Sequence, residues 1–490
     1  MSAEPPPRGA RYEVVIGLEV HAQLLTRTKM FCGCPTTFGA PPNTQTCPVC
    51  QGHPGSLPVI NRKALEYGTR TALALGCRVN AHHRFARKHY YYPDIPKNYQ
   101  ISQYEEPLAE AGALELEMGG AARVIGVERL HLEEDVAKLV HEGDLASARA
   151  SQVDYNRAGV PLMEIVSRPD LRTPEEAVTY LRAMRAILVY LEVCDGNMEE
   201  GSLRCDANIS LRPAGAAALG TKVEIKNLNS FRHVQHALEH EAARQARALD
   251  AGEAIVQETR LWDPERERTV STRAKEFAHD YRYFPEPDLP PLSAAEPWVA
   301  AIRAALPELP RARRRRLAEA LGLGAHEAEL LTQSRALADY FEAAAAGSRQ
   351  PRAVANWVLN ELLRVVPADD DRAVQACPVR PEHLAELIGL IDDGTISGKI
   401  AKDVFERMLA TGDTPRAIVA REGLVQVADA GELERLVDRV LAEHPKVVED
   451  FRRGKKAAAG FLVGQVMKSS EGKANPAIVN RLLSEKLPKV

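Results

Sequence analysis

Four of the eight cysteines fall in one short segment, CGCPTTFGAPPNTQTCPVC. Cys32 and Cys34 form a C-x-C pair, Cys47 and Cys50 form a C-x2-C pair, and a loop rich in Pro, Gly and Asn joins the two pairs. This spacing lets four thiolates converge on one tetrahedral zinc ion, and it disfavours the alternative of four unrelated thiols. A closed four-thiolate site has no open position, so we expect it to staple a loop rather than to catalyse.

A carboxylate and an imidazole share the polar face of a second stretch, IGLEVHAQL. Every second residue from Ile16 to Leu24 is apolar, which predicts a half-buried strand. Glu19 and His21 lie on its other face, roughly 7 Å apart along the strand. That face is either an ordinary solvated surface or one wall of a metal or acid–base site.

Two further stretches, GSLRCDANISLR and KVEIKNLNSF, alternate in the same way. One such strand would most simply be a solvated outer face. Three of them predict the floor of a cleft in which carboxylates hold Mg²⁺ while Arg and Lys hold phosphates. Their polar faces carry Arg204, Asp206, Asn208, Lys222, Glu224 and Lys226.

Carboxylates also occur in two apolar contexts. Glu133, Glu134 and Asp135 follow an apolar strand in RLHLEEDVAK, and Glu164 interrupts the hydrophobic run GVPLMEIV. An unpaired carboxylate is costly to bury, so Glu164 needs either a neighbouring cation or a metal ion.

The segment RKHYYYPDIPKNYQIS mixes Lys88 and Lys97 with tyrosines and prolines. Interleaved basic and aromatic residues suit contact with a nucleotide or RNA, although a packed tyrosine-rich turn explains the composition equally well. The chain has neither a G-x-x-x-x-G-K-[ST] loop nor a G-x-G-x-x-G turn after a strand, so ATP would have to be held by other means. It also lacks a G-x-S-x-G nucleophile motif.

The elements that must position these residues fall into an α+β class. With 490 residues, 45% hydrophobic and 27% charged, the chain can form two to four domains, and its net charge of −4 excludes only a protein that is basic throughout. No apolar run approaches the roughly 20 residues of a membrane span, and the N-terminus lacks a hydrophobic signal core. We therefore expect a soluble, cytoplasmic protein.

Turn-forming residues and proline-rich stretches predict where the chain divides into domains. Short alternating segments dominate residues 12 to about 290, interrupted by one helix that begins with a capping box at Thr173 and Glu176 and another that ends at Gly252. The proline-rich stretch from Tyr281 to Pro297 then marks a boundary. We predict an antiparallel-sheet domain at 1–293, a helical domain at 294–405 and a tail domain at 406–490. The tail's last forty residues hold nine Lys or Arg against two Glu.

These motifs, in this order, resemble a known family. VIGLEVHAQL, RKHYYYPDIPKNYQIS, HLEED, GVPLMEIVSRPD, EEGSLRCDANISLR, KNLNSF and DYRYFPEPDLPPL are similar to segments of the B subunits of Glu-tRNA(Gln)/Asp-tRNA(Asn) amidotransferases, the GatB/GatE family. The end of the chain, with GFLVGQVMK and GKANPAIVNRLL, resembles the family's YqeY-like tail. The resemblance covers nearly the whole chain.

The resemblance implies a fold and a reaction. The fold is a cradle similar to the catalytic domains of glutamine synthetase and guanido kinases, followed by a helical domain and a tRNA-binding helical tail. The reaction uses ATP to phosphorylate the side-chain carboxylate of misacylated Glu-tRNA(Gln) or Asp-tRNA(Asn), and ammonia then displaces the phosphate. An amidase partner, GatA, supplies that ammonia from glutamine through a tunnel, and a small partner, GatC, completes a heterotrimer. A non-discriminating aminoacyl-tRNA synthetase is a further expected partner.

The resemblance also implies roles for individual positions. Glu19, His21, Glu134 and Glu164 match Mg²⁺ ligands, Lys88 and Lys97 match lysines beside the ammonia path and the cleft, and the four cysteines match a zinc knuckle (residues 32–50) that many members have. After HLEED this chain reads VAK where the family usually has AGK, so we expect the backbone turn beside Glu134 to differ. Candidate nucleotide contacts come from the strand faces alone: Arg204, Asp206, Asn208, Lys222 and Lys226.

Two other functions compete with this interpretation. One is a non-catalytic, zinc-containing scaffold that binds tRNA. The other is a free-standing guanidino or amino-acid kinase, which would not need a long basic helical tail.

Overall fold

The computed structural model describes residues 11–118, 121–141, 150–274, 281–368, 370–425, 430–452, 456–470, 474 and 476–487. The chain forms two compact units, Met1–Leu309 and Pro310–Val490. The described part combines a large sheet with many helices, which confirms the α+β class. Among its helices, none is long and apolar enough to cross a bilayer.

The first unit contains sixteen strands in its described residues. They are β1 (Tyr12–Gln23), β2 (Arg78–Val79), β3 (His82–His83), β4 (Ala86–His89), β5 (Tyr99–Ser102), β6 (Ala109–Met118), β7 (Ala121–Glu134), β8 (Lys138–His141), β9 (Ser151–Asp154), β10 (Pro161–Ser167), β11 (Leu203–Pro213), β12 (Val223–Lys226), β13 (Glu258–Asp263), β14 (Arg268–Ala274), β15 (Phe284–Pro285) and β16 (Leu292–Ser293).

Twelve of these strands form one sheet in the order β14-β13-β12-β11-β1-β10-β7-β5-β4-β15, with β6 paired to both β7 and β2. Its pairs are antiparallel, as predicted, except that β12 and β13 run parallel. The N-terminal strand β1 therefore lies in the middle of the sheet, between β10 and β11. Two small two-stranded sheets, β16-β3 and β8-β9, complete the described strands.

Alternation in the sequence explains why these strands bury one face. Ile16, Leu18, Val20 and Ala22 of β1 are at most 1% exposed and belong to one hydrophobic core with the inward residues of β7, β10 and β11. Burial of apolar surface at about 25 cal/mol per Å² makes this core the main source of the unit's stability. The opposite face of the same strands is left for polar side chains.

The described residues of the first unit contain four helices: α1 (Arg62–Ala74), α2 (Pro174–Tyr190), α3 (Phe231–Asp250) and α4 (Glu296–Ala304). The predicted cap of α2 is half confirmed, because the Thr173 hydroxyl accepts the Glu176 N–H. The Glu176 carboxylate, however, accepts the Arg172 N–H rather than completing the box at Thr173. Helix α3 ends at Asp250, and Gly252 follows with a φ of +76°.

The second unit is helical in its described residues. Its elements are α5 (Pro310–Leu321), α6 (Ala325–Leu331), α7 (Arg335–Ala346), α8 (Pro351–Trp357), a π-helical turn (Val358–Leu362), α9 (Asp371–Gln375), α10 (Pro381–Asp392), α11 (Gly398–Thr411), α12 (Pro415–Glu422), α13 (Ala430–Glu443), α14 (Pro445–Arg452), α15 (Lys456–Ser469) and α16 (Pro476–Lys486). One apolar cluster lies between Leu317 and Val419 and another between Leu433 and Leu487. The three-domain division made from the sequence stays a prediction.

Candidate metal and phosphate sites on one face of the sheet

Polar side chains from neighbouring strands meet on the face of the sheet opposite the core. In the strand register, His21 of β1 lies opposite Glu164 of β10 on one side and opposite Arg204 of β11 on the other. Glu164 in turn lies opposite His131 of β7. Directly opposed residues in a sheet project from the same face, so residues far apart in the chain become neighbours.

One group of possible ligands, here called the histidine cluster, consists of His21, Glu133 and Glu164. One donor atom from each residue lies within 4.8 Å of those of the others. The His21 Nε2 atom is 3.2 Å from Glu164 Oε2. The Ser102 hydroxyl donates a 3.0 Å hydrogen bond to Glu133 Oε2, and His131 Nε2 lies 3.5 Å from Glu164 Oε2.

Charge in the histidine cluster is set by burial and by close partners. Burial alone would lower the pKa of His21, but its hydrogen bond to Glu164 and the charge of that carboxylate raise it to about 9. Burial raises the pKa of Glu164, but the charge of His131 and the bond and charge of His21 outweigh it, so this pKa falls well below its usual value. Burial and the charge of Glu164 raise the pKa of Glu133, but the His131 hydrogen bond and the charges of Lys88 and His131 lower it on balance, so both carboxylates are negative at neutral pH. His21 is correspondingly an imidazolium at neutral pH, so a divalent cation would bind here as His21 gives up its proton and would replace it as the positive partner of the two ionised carboxylates.

The second group, here called the acidic cluster, consists of Glu19, Asp206 and Glu224, again with donor atoms within 4.8 Å of one another. Lys226 Nζ donates a 2.5 Å bond to Asp206 Oδ2 and lies 3.6 Å from Glu224 Oε1. Asn208 donates a 2.9 Å bond to Glu19. Burial and the charges of Glu164, Asp206 and Glu224 raise the pKa of Glu19. The carboxylates of this cluster therefore still repel one another, even with the Lys226 ammonium beside them.

Arg204 is held at this face by a buried carboxylate. Its Nη2 donates a 2.8 Å bond to Asp135, whose side chain is 1% exposed and also accepts a 2.7 Å bond from Gln23. The charges of Arg204 and Arg157 overcome the effect of burial and lower the pKa of Asp135. The Arg204 Nε is buried without a hydrogen-bond partner among the described residues, so this guanidinium retains donor capacity for a ligand.

The remaining predicted contacts fall in different places. The ammonium of Lys88 lies 5.1 Å from the centre of the Tyr281 ring, and its charge lowers the pKa of both Glu133 and Glu164. Asn208 and Lys226 lie beside the acidic cluster, where they donate hydrogen bonds to Glu19 and Asp206 respectively. Lys222 is exposed, one residue before β12.

Glu134 and Lys97 lie together and outside both clusters. Lys97 Nζ forms an ion pair with Glu134 Oε1, and both side chains are at most 10% exposed. The same carboxylate oxygen accepts the Ile101 N–H at 3.0 Å. The structure thus brings His21 and Glu164 together with Glu133, Glu19 together with Asp206, and Glu134 with Lys97.

Strand parity explains this arrangement and could have indicated it from the sequence. In RLHLEE of β7, Leu130 and Leu132 are fully buried in the core, and Glu134 has their parity. The odd-numbered residues of the same strand project from the opposite face, which is the face of Glu164. These residues are Arg129, His131 and Glu133. His131 and Glu133 were not chosen as metal ligands because the family match at HLEED, rather than the alternation, selected Glu134, and that selection stays a prediction. Glu224 was placed on a polar strand face but was not grouped with Glu19 and Asp206, because strand partners are not visible in the sequence.

The four cysteines of the knuckle do converge. Their sulfur atoms lie within 4.8 Å of one another, and Cys47 Sγ and Cys50 Sγ are 3.9 Å apart. Lys29, which is fully buried, places its ammonium 3.6 Å from Cys50 Sγ and donates a 3.2 Å bond to the Tyr155 carbonyl. The hydrogen bond from Cys32, together with the Cys47 N–H and the charge of Lys29, lowers the pKa of Cys50 to about 4. Four converging sulfur donors with one nearby cation fit Zn²⁺.

Comparisons with known proteins agree with these motifs. The family model described as "GatB/GatE catalytic domain" matches residues 14–300, and the one described as "GatB domain" matches residues 339–487. A protein of Carboxydothermus hydrogenoformans, named as the B subunit of aspartyl/glutamyl-tRNA(Asn/Gln) amidotransferase, is 57% identical over 98% of this chain and 99% of its own length. A protein of Moorella thermoacetica with the same name is 56% identical over 97% of this chain and 100% of its own length.

Proposed function

The chain belongs to the GatB/GatE family, and from that premise we propose that it uses ATP to activate the carboxylate of a misacylated aminoacyl-tRNA for amidation. It is the B subunit of an aspartyl/glutamyl-tRNA amidotransferase, a carbon–nitrogen ligase that takes its amide nitrogen from glutamine. In the proposed reaction, an oxygen of the Glu or Asp side chain attacks the γ-phosphorus and ADP leaves. Ammonia then attacks the acyl carbon and inorganic phosphate leaves, giving Gln-tRNA(Gln) or Asn-tRNA(Asn).

The observation that carries this proposal is the pairing of two carboxylate clusters on one sheet face with Arg204 and Lys226 beside them. Phosphoryl transfer depends mainly on positioning and on neutralising charge, rather than on a protein nucleophile. A face with ligands for divalent cations and with spare guanidinium donors supplies both needs.

We propose that Mg²⁺ binds the histidine cluster through His21, Glu133 and Glu164, and that a second divalent cation binds Glu19, Asp206 and Glu224. A bound cation would neutralise phosphate charge. This differs from a single site built from Glu19, His21, Glu134 and Glu164, because Glu134 is engaged by Lys97.

The side chains around the clusters have separate proposed tasks. His131 and Ser102 hold the Glu164 and Glu133 carboxylates in place. Asp135 orients Arg204 toward a phosphate, and Lys226 balances the acidic cluster until the nucleotide arrives. Lys88 adds positive charge at the edge nearest Tyr281.

The finer features of the family extend this proposal. We propose that the sheet is a cradle similar to that of glutamine synthetase and guanido kinases, that the knuckle holds Zn²⁺, and that the enzyme works with the amidase GatA and the small protein GatC on misacylated tRNA in the cytoplasm. The basic tail would contact tRNA phosphates without reading sequence. A non-catalytic tRNA-binding scaffold is the less favoured alternative, since the relatives are named as amidotransferase subunits.

The proposal is tested by ATP turnover that depends on Glu-tRNA(Gln) or Asp-tRNA(Asn), with the partner proteins and ammonia present. We expect His21→Ala and Glu164→Ala to lower this turnover by about 100-fold or more while tRNA binding survives. Glu128→Gln is the matched control, since Glu128 lies on β7 but is 55% exposed in a surface ion pair with Arg168. Unchanged turnover in both cluster variants would refute the metal-site assignment.

A further inference from the structure

The backbone just after the knuckle, at Gly52, packs directly on the side chain of Lys97. A Cβ atom added to Gly52 would lie 3.1 Å from both the Cα and the Cβ of Lys97, and nearer still to its Cγ. An added Cβ would overlap the Lys97 Cγ atom, and a close-packed interior leaves no room for the lysine to move away. Gly52 also has a φ of +68°, a conformation that glycine adopts without strain. Only a residue without a side chain fits between the knuckle and Lys97.

Gly52 is in turn fixed by the cysteine turn. Its N–H donates a 3.0 Å bond to the Val49 carbonyl, and the N–H of the preceding Gln51 donates a 3.1 Å bond to the Cys47 carbonyl. Residues 47–52 therefore form one short hydrogen-bonded turn that contains two of the four sulfurs. A metal ion that draws Cys47 and Cys50 together would also set the position of Gly52.

On its other side, Lys97 is tied to the sheet. Its ammonium pairs with Glu134 at the end of β7, and the Glu134 carbonyl accepts a 2.7 Å bond from Gln100. The next residue is Asp135, which holds Arg204. A continuous set of contacts thus runs from the cysteine turn through Gly52, Lys97 and Glu134 to the guanidinium proposed to meet phosphate.

We propose that the knuckle is a positioning device for the Lys97–Glu134 pair, acting through the close contact of Gly52 with Lys97. Metal in the knuckle keeps Gly52 against the lysine stem, and the stem then has one arrangement in which its ammonium reaches Glu134. Without metal the turn relaxes, Lys97 gains alternative conformations, and the end of β7 loses its ion pair. The consequence for catalysis rests on the proposed function, but the coupling between knuckle and lysine does not.

The test is the rate at which acetic anhydride acetylates Lys97, measured by mass spectrometry on the full-length chain. Lys402, which is 60% exposed in the second unit, serves as the internal reference. Loss of a charged hydrogen bond should raise the Lys97 rate by about tenfold in zinc-stripped protein and in Gly52→Ala. Gly55→Ala is the matched control, because Gly55 has a similar φ of +82° but no atom within 4 Å of an added Cβ. Its Lys97 rate should equal that of the wild type.

Two results would overturn the proposal. One is an unchanged Lys97 rate in zinc-stripped wild-type protein, and this result decides the matter even if Gly52→Ala fails to fold. The other is an equal rise in Gly52→Ala and Gly55→Ala, which would reduce the effect to backbone strain.

A second measurement connects the coupling to catalysis. In the assembled enzyme, Gly52→Ala should lower kcat by about tenfold through misplacement of the pair, with the KM for ATP nearly unchanged. Absence of tRNA-dependent turnover in the wild type would count against the proposed function and leave the acetylation result standing. Raised acetylation together with unchanged kcat would instead contradict the catalytic part of this inference.

Discussion

The knuckle and the two carboxylate clusters are assembled in different ways. All four sulfurs come from residues 32–50, and turns within that segment bring them together. The clusters draw on β1, β7, β10, β11 and β12, so their geometry depends on strand register across much of the first unit. A site made within one segment can be recognised from spacing. A site made across strands requires knowing which face each residue takes.

The difference also shows in how each site handles charge. In the knuckle, four thiols share one fully buried lysine, and a metal ion would supply most of the compensating charge. On the sheet face, His21, Arg204 and Lys226 already balance much of the negative charge. We therefore expect loss of metal to disturb local folding at the knuckle, and to disturb chemistry rather than folding at the clusters.

The largest expected effect separates the two glutamates of HLEED. Glu133→Gln should lower tRNA-dependent ATP turnover by about 100-fold, because it removes a charge from the histidine cluster. Glu134→Gln should cost only about tenfold, because Glu134 positions Lys97 and lies outside the cluster. Steady-state kinetics on the two variants checks this, with Glu128→Gln as the control. If Glu134→Gln proved the more damaging change, the result would favour the single Mg²⁺ site that includes Glu134 over the histidine cluster.

The next effect concerns the knuckle itself. Cys47→Ser should abolish stoichiometric zinc and lower the thermal unfolding midpoint by roughly 5 °C, as expected for a loss of a few kcal/mol. The affinity for ATP should change little, since the histidine and acidic clusters are built from strands outside the knuckle. Elemental analysis, differential scanning calorimetry and nucleotide titration measure the three quantities. Cys377→Ser, which alters a half-buried cysteine in the second unit, should retain zinc, and substoichiometric zinc in the wild type would count against the site.

A smaller effect is expected at Lys29. Lys29→Met keeps the length and apolar stem of the side chain but removes the ammonium beside Cys50. The zinc–thiolate group would then carry more uncompensated charge in a buried place, so zinc should transfer to a competing chelator about tenfold more readily. Lys63→Met, at a surface lysine paired with Glu66, is the control. Equal zinc retention in both variants would show that Lys29 does not compensate the thiolates.

The smallest effect is expected at Ser102. Ser102→Ala removes the hydrogen bond from an uncharged hydroxyl to the ionised Glu133 carboxylate but leaves His131 in place. Turnover should fall by roughly threefold to tenfold, which is less than the ~1.5–3 kcal/mol of a hydrogen bond to a charged group because His131 still contacts the carboxylate. Raising the Mg²⁺ concentration should recover part of the loss if Ser102 acts by holding a ligand. A loss that Mg²⁺ does not alter would assign Ser102 to packing alone.

Local patterns predicted much of this fold. The alternation in IGLEVHAQL correctly gave a strand with Glu19 and His21 on the polar face. The Thr173 cap correctly located the start of α2, and α3 ends two residues before the predicted Gly252. The parallel pairing of β12 with β13 and the central position of β1 were not predicted, because partners and registers depend on tertiary packing rather than on any one segment. The division of the acidic residues into two clusters follows from those registers and could not be read from spacing alone.

The central position of β1 has a consequence for synthesis on the ribosome. The knuckle can close once residue 50 has emerged, but β1 must wait for β10 and then β11 before it has a neighbour on either side. Until then its apolar face and both its edges remain open to wrong partners, and long-range pairing of this kind is slow. A nascent chain from which residues up to about 150 have emerged should therefore already hold metal yet depend on chaperones, whereas one from which β11 has also emerged should have both edges of β1 covered.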